Sequence, residues 1–342
     1  AKKRRKIAYA ITITKDGFFQ DGAAVLAYSV IAASKGKDYD ISFIAFVHPD
    51  VTAARPFLRK LGYNVIEAPT PLNTSAITGN KFLREKIDKN GCCGATELIK
   101  LYAYRMTQFD RVIHMDADTI VINPFDELFD TEYSLAYTTD PNMATFKGEL
   151  GLPVQGGFLV LRPSLADYKA IVNIVMTVPF RNGGGWNNSH IGWYWGGMTI
   201  QGVLAYYYYL VTPGRHLKLD RCIYNTMADT IPCSTQTLSE IKTAHFTVCQ
   251  KPWICDTWRG DFHENLCVKL QERWFELRQK AEEFYGIPVV PKACKKRGKK
   301  HYIPMQLENA RIPVDSGITP FNAPVKLDPL PGAGFTKIDK KL

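Results

Sequence analysis

An α/β fold is the class this sequence predicts: a mostly parallel, Rossmann-like central sheet flanked by helices, with a C-terminal helical extension. Three observations carry that reading. Apolar, β-branched runs alternate with helical segments through residue 122, and such βαβα order builds a parallel sheet with ligands at the carboxyl ends of its strands. Residues 264–285 repeat apolar side chains at three- and four-residue spacing, the mark of an amphipathic helix. At 342 residues and 46% hydrophobic, the chain suits one α/β domain of roughly 250 residues with an extension better than two equal domains.

The elements follow in order. Residues 1–6 form a basic tail, 7–14 a first strand and 21–34 a helix of small and apolar residues. Residues 40–48 make a second strand, 51–61 a helix, and 63–68 a third strand before a Pro/Asn/Thr/Gly loop at 69–80. A helix from about Gly94 to Gln108 leads into an apolar run from Arg111 to Ile122, bounded by Phe109-Asp110 and Asn123-Pro124, which reads as a buried strand. Segment 181–197 is rich in Gly and Trp and has no period, as a long functional loop would. Gln201 to Leu210 resumes as an apolar helix. Leu266, Leu270, Trp274, Leu277, Ala281 and Phe284 form the last helical stripe, stopped by Gly286 and Pro288. The division is then a main domain at 7–263, a packed helix at 264–290 and a tail at 291–342, strapped over the surface or disordered. No internal repeat is present.

Net charge is +10, yet Lys2-Lys3-Arg4-Arg5-Lys6 and Lys295-Lys296-Arg297-Gly298-Lys299-Lys300 hold ten of the 43 basic residues. Such runs read as solvated ends without interleaved aromatics, so nucleic acid is not an expected partner. No stretch of 18 apolar residues occurs, so no membrane span is expected. The chain opens on Ala1 without Met or leader, as a trimmed or processed form would, and its start does not argue for the cytosol. Cys222, Cys233, Cys249, Cys255, Cys267 and Cys294 lie in the last third without Cys-x-x-Cys spacing, which argues against zinc. With the sequons Asn73-Thr74-Ser75 and Asn187-Asn188-Ser189, they read as disulfides in a secretory lumen; the alternative is buried free thiols in a cytosolic enzyme. Cys255 with Cys267 is the expected bridge, because both flank the loop before the last helix.

Asp116-Ala117-Asp118 interrupts the apolar run from Arg111 to Ile122. Side chains at i and i+2 leave a strand on one face, so both carboxylates are expected to meet one divalent cation, the usual partner of a nucleotide diphosphate. Two charges at the end of an apolar strand also need a partner. The tripeptide is common, and its neighbours give it weight.

Met115-Asp116-Ala117-Asp118-Thr119, with Asn123-Pro124-Phe125-Asp126-Glu127-Leu128-Phe129, resembles the metal-binding segment of glycosyltransferase family 8, the glycogenin-like enzymes of GT-A fold. The resemblance runs in order through Ala10 to Asp16, Asp21 to Leu26, Glu97-Leu98-Ile99-Lys100, Gln155-Gly156-Gly157, and His245-Phe246 with Lys251-Pro252-Trp253. It implies a retaining transfer of sugar from a nucleoside-diphosphate donor, UDP-linked, to a glycan, protein or small-molecule acceptor. Asp116, Asp118 and His245 would be ligands of Mn²⁺ or another divalent cation. Thr12, Thr14, Lys15, Lys100, Asp116, Ala117, Gln155, Gly156 and Lys251 would hold the nucleotide sugar, with Lys100, Gln201 and Asp118 as catalytic groups. The Gly-rich neighbours of Trp186, Trp193 and Trp195 suggest an acceptor site; the bland alternative is that these rings fill the core.

Three departures stand out. Lys15 replaces the family's common Asn, and Gln155-Gly156-Gly157 replaces its Asn-containing strand. Ile200 takes the place of an aspartate proposed as nucleophile or sugar contact, in Gly196-Gly197-Met198-Thr199-Ile200-Gln201-Gly202. A hydrocarbon serves neither role, so front-face substitution is expected, with the leaving phosphate as base, Gln201 beside the anomeric carbon and Thr199 replacing part of the lost hydrogen bonding. The pattern is similar to a poorly characterised eukaryotic subgroup, which implies the secretory pathway, specifically the Golgi lumen, over the cytoplasm. The rival reading is a pseudo-enzyme, a nucleotide- or glycan-binding scaffold. A nicotinamide-dependent enzyme ranks below both, since Thr14-Lys15-Asp16-Gly17-Phe18-Phe19 lacks the dinucleotide fingerprint after the first strand.

Overall fold

The structure, a computed structural model, describes residues 4–144, 152–256 and 264–329. Parts of the sequence-derived main domain (145–151, 257–263) and the tail past 329 lie outside the described residues.

Strand β1 (Arg5–Ile13) alternates cleanly, with Ile7, Tyr9, Ile11 and Ile13 in one core layer and Ala8 and Ala10 in the other. It starts two residues earlier than the sequence suggested. Arg5 pairs with Asp130, and Arg4 lies 3.0 Å from Asp40, so these two arginines are each paired with an acid. The other strands are β2 (Tyr39–Val47), β3 (Tyr63–Glu67), β4 (Arg111–Met115), β5 (Thr119–Val121), β6 (Leu135–Thr139), β7 (Val154–Leu161), β8 (Phe180–Arg181), β9 (Gly185–Trp186), β10 (His216–Lys218) and β11 (Thr243–His245). Seven form the central sheet in the order β10-β6-β7-β4-β1-β2-β3. β7 runs antiparallel to both β4 and β6, and the other neighbours are parallel.

The helices are α1 (Phe19–Ser34), α2 (Ala54–Lys60), α3 (Lys81–Lys86), α4 (Leu165–Thr177), α5 (Ile200–Tyr206), α6 (Ile231–Ser234) and α7 (Glu264–Phe284). α1 and α7 cover the Ile face of β1; a helical segment at Gly94–Arg105, with α4 and α5, covers the Ala face. Gly94–Arg105 winds as a 3₁₀ helix and ends three residues before the expected Gln108. α5 loosens into a π turn at Tyr207–Val211, and Tyr207 there donates to buried Asp167 at 2.7 Å. On α7, Leu266, Leu270, Trp274, Leu277 and Ala281 are buried as their spacing predicts. Arg278 is buried among them because Glu282, one turn on, accepts from it at 2.9–3.0 Å.

Disulfides join Cys222 to Cys233, Cys249 to Cys267 and Cys255 to Cys294. The expected Cys255–Cys267 bridge is therefore corrected: α7 lines its first turn up with Cys249, leaving Cys255 for the segment after the helix. That segment is strapped on. The Thr319 N–H donates to the Ile41 carbonyl at 2.7 Å, and the Leu327 N–H to the Glu67 carbonyl at 2.9 Å, so residues 318–327 run beside β2 and β3. No helix among the described residues is long and apolar enough to cross a membrane.

Candidate functional site

β4 stops at Met115, and the chain turns through Asp116-Ala117-Asp118 before β5 begins. The two aspartates thus sit in a turn, not on one strand face as their i, i+2 spacing suggested. Thr119 closes the turn: its N–H and hydroxyl both donate to the Asp116 carbonyl, at 3.1 and 2.7 Å. Gly22 of α1 packs so tightly here that a Cβ would collide with the Ala117 carbonyl and the Trp253 ring.

β5 pairs with β11 in a register that sets His245 opposite Thr119. This pairing delivers the imidazole from more than a hundred residues away. His245 Nε2 lies 3.4 Å from Asp118 Oδ1 and 3.9 Å from Asp116 Oδ2. One ligating atom from each of the three residues falls within 4.8 Å of the others. Gly157 leaves space for the ring, since a Cβ there would strike it. Two carboxylates and an imidazole suit a borderline divalent cation such as Mn²⁺, so the donor set fits the ion that the sequence implied.

Two lysines now neutralise the acids. Lys251 Nζ donates to Asp118 at 2.5 Å. Lys100 Nζ lies 2.8 Å from Asp116 and 2.9 Å from Glu97, and donates to the Gly156 carbonyl at 3.2 Å. Burial opposes charge on Asp118, yet His245 and Lys251 hold its carboxyl well below the usual range. Burial likewise opposes the Lys100 ammonium, but Asp116 and Glu97 hold its pKa above the usual lysine value. Beneath them, burial and then Lys100 push the His114 imidazole down to about 3, so it is neutral where it shares a 2.8 Å hydrogen bond with the Thr12 hydroxyl.

These groups open on a cleft of about 190 Å³ at the carboxyl ends of β1 and β4. Of the sequence-derived site residues, Thr12, Thr14, Lys15, Lys100, Asp116, Ala117, Asp118 and Lys251 line it. Others do not. Gln155 is buried and accepts from the Gly157 N–H at 2.5 Å and from Asn225 at 3.3 Å, so its polar end is committed to the strand. Gln201 rests against Met143, its Nε2 3.6 Å from the sulfur. The Thr199 hydroxyl donates to the Gly196 carbonyl at 2.9 Å, and Ile200 is buried over Gly156. Trp186 is buried, edge-on to Phe180 and donating its indole N–H to the Gly197 carbonyl at 2.9 Å, in keeping with the core alternative. Trp193 is half-buried and Trp195 is 59% exposed; neither lines the cleft.

The sequence reading missed Glu97, Cys92, Cys93, Phe19 and His114. Glu97 had a signal: in a 3₁₀ helix residues i and i+3 eclipse, placing an acid directly beside Lys100. The others lie close to the cleft only through the fold.

Known proteins agree with this architecture. A family model described as "Mannosyltransferase putative" matches residues 34–139. Glycogenin-2 of Homo sapiens is 27% identical over 249 residues, covering 71% of this chain and 43% of that protein. Glycogenin of Neurospora crassa is 25% identical over 159 residues, covering 45% of this chain and 19% of its own length. The chain is thus similar in sequence to glycogenins. A solved structure of an active-site mutant of LgtC matches at 15% identity with a TM-score of 0.51, over 79% of this chain and 94% of LgtC. The chain thus has the GT-A fold, and it spans less than half the length of the curated relatives it matches.

Proposed function

We propose that the protein is a divalent-cation-dependent, retaining glycosyltransferase that takes a sugar from a nucleoside-diphosphate donor, UDP-linked, and passes it to a glycan, protein or small-molecule acceptor. One observation carries the reading: His245 of β11 meets Asp116 and Asp118 of the turn after β4, and these two aspartates line a cleft with Lys100 and Lys251 in a GT-A fold. A bare binding scaffold has no need of two carboxylates, an imidazole and two ammonium groups aimed at one point.

Mn²⁺ held by Asp116, Asp118 and His245 would supply Lewis-acid neutralisation of the diphosphate leaving group. Lys251 and Lys100 are the chain's own charge partners for the same phosphates, because each stands at the cleft wall and stays protonated. Thr12, Thr14 and Lys15 offer hydroxyls and an ammonium to ribose and base. His114, neutral and buried, fixes the Thr12 hydroxyl. With Ile200 in the core, no carboxylate is supplied from that position, which supports front-face substitution with the leaving phosphate as base. Lys100 and Lys251 now occupy Asp116 and Asp118, so a cation taken up by the two carboxylates would displace both ammonium groups from them. Three disulfides support an oxidising compartment, and we place the enzyme in the secretory pathway, in the Golgi lumen.

A donor-hydrolysis screen across UDP-sugars with Mn²⁺ tests the proposal. Hydrolysis of one donor that stops in EDTA is expected. Hydrolysis of none, with no UDP binding by calorimetry, would leave the fold without this activity.

A further inference from the structure

Two cysteines stand outside the three disulfides, and they are neighbours in sequence. Cys92 Sγ lies 3.0 Å from Cys93 Sγ, closer than sulfurs in simple contact. Both line the cleft; Cys92 is exposed and Cys93 partly so, and a dissolved reagent reaches them. Their loop also joins two walls. The Met198 N–H donates to Asn90 Oδ1 at 2.9 Å, and a Cβ on Gly91 would stand 3.0 Å from the Gly196 Cα. The sulfurs therefore sit at a seam between the cleft and the Trp-rich loop.

The two thiols are not equivalent. The hydrogen bond between the two sulfurs lowers the Cys93 pKa, although burial works against it; the same hydrogen bond and burial raise Cys92. Glu97 Oε1 lies 3.5 Å from the Cys92 sulfur. A soft cation on the two sulfurs and Glu97 is the rival occupant. Glu97 is already paired with Lys100 at 2.9 Å, and that ammonium repels a cation while favouring a thiolate.

We propose that Cys92 and Cys93 form a redox-active dithiol in the cleft wall, which closes to a vicinal disulfide by exchange with a small disulfide such as glutathione disulfide. The Cys93 thiolate attacks one sulfur of glutathione disulfide, forming a mixed disulfide and releasing one glutathione thiolate. Cys92 gives up its proton and attacks the Cys93 sulfur, releasing the second glutathione. Two protein thiols are oxidised by two electrons, and one glutathione disulfide becomes two glutathiones. Adjacent Cα atoms are only ~3.8 Å apart, against 4.5, 5.1 and 5.5 Å across the three existing bridges. Such a ring is strained and easily reopened, whereas the three bridges persist.

The folded protein is equilibrated in buffers of graded glutathione to glutathione-disulfide ratio, quenched in acid and labelled with N-ethylmaleimide. The peptide carrying Cys92 and Cys93 is then weighed. It should carry two labels in the reducing buffer, none and no glutathione in the oxidising buffer, and two again on reversal. Cys92→Ser should retain one glutathione on Cys93. Two labels persisting in the oxidising buffer, or glutathione held on the wild-type peptide without ring closure, would overturn the proposal. The readout needs neither nucleotide nor transfer, so it stands apart from the glycosyltransferase reading.

Discussion

Asp118 is nearly buried between an imidazole and an ammonium, and that position dictates what each substitution does. Asp118→Asn removes one anionic ligand and should cut metal-dependent transfer by more than the ~10- to 100-fold seen when a group supporting a ligand is lost. Circular dichroism should be unchanged, and full transfer by the variant, or by the wild type in EDTA, would rule the cation out. Lys251→Ala has a two-sided signature. The ammonium competes with a cation for Asp118, so Mn²⁺ should bind the variant more tightly by calorimetry. UDP affinity should fall about tenfold, in line with the ~1.5–3 kcal/mol of a hydrogen bond to a charged group; equal changes in one direction would refute the exchange. At this scale the sequence was informative where a motif fixed both type and order. Lys100 read alone looked like a surface residue, and only its 6% exposure beside Asp116 and Glu97 shows why it stays charged. Trp186 stayed open between acceptor contact and core because Gly neighbours accompany both ligand contacts and tight turns. Here Gly185 and Gly192 adopt positive φ to fold the loop over the ring.

Elements hold the site through a few long-range fasteners. Cys249–Cys267 and Cys255–Cys294 bracket Lys251 in sequence, so α7 and the segment beyond it anchor the donor-site lysine. Cys255→Ser should lower stability by about 4 kcal/mol for a 39-residue separation in the chain-entropy model. Thermal melting measures it, and loss of UDP affinity should accompany it. Asp21 ties α1 to the same region, accepting from Tyr302 at 2.7 Å and the Met305 N–H at 2.9 Å. Burial lifts its carboxyl to about 6 despite these bonds and nearby Arg278. The folded chain keeps this proton to higher pH than the unfolded chain. The stability it contributes is full below about 4 and is lost as pH rises toward 6, on the order of 3 kcal/mol. Asp21→Asn should flatten that slope in melts from pH 4 to 7; an unaltered slope would remove Asp21 as its source. The element order through β4 was legible because alternation is local. The turn at Asp116 was not, because the bend follows from Thr119 bonding back to Asp116 and from the pairing of β5 with β11. Neither leaves a trace in hydrophobic period. The cysteine clustering suggested bridges, but pairing depends on where α7 docks.

Across the whole molecule, the sheet combines what the sequence shows with what it hides. β1, β2, β3 and β4 follow from βαβ logic; β7, inserted antiparallel between β4 and β6, and β10 at the far edge answer to partners distant in the chain. β3 is the other edge; the strap at residues 318–327 pairs with its last residue, Glu67, and with Ile41 and Ser42 of β2. Truncation after Pro313 should lower the melting temperature and produce association that grows with concentration, read by light scattering. A truncated chain that stays monomeric and equally stable would reduce the strap to decoration. Timing gives the strap a further meaning. The Ser42 hydroxyl of β2 donates to the Thr319 carbonyl across 277 residues, so these fastenings close only after nearly everything else exists. At about 5–20 residues per second of synthesis, Glu67 waits roughly 13–50 s for its partners in the strap. During that interval the end of β3 lacks the pairing it has in the finished fold. A chain cut short before residue 318 therefore lacks these late fastenings, whatever part of the sheet it has already formed.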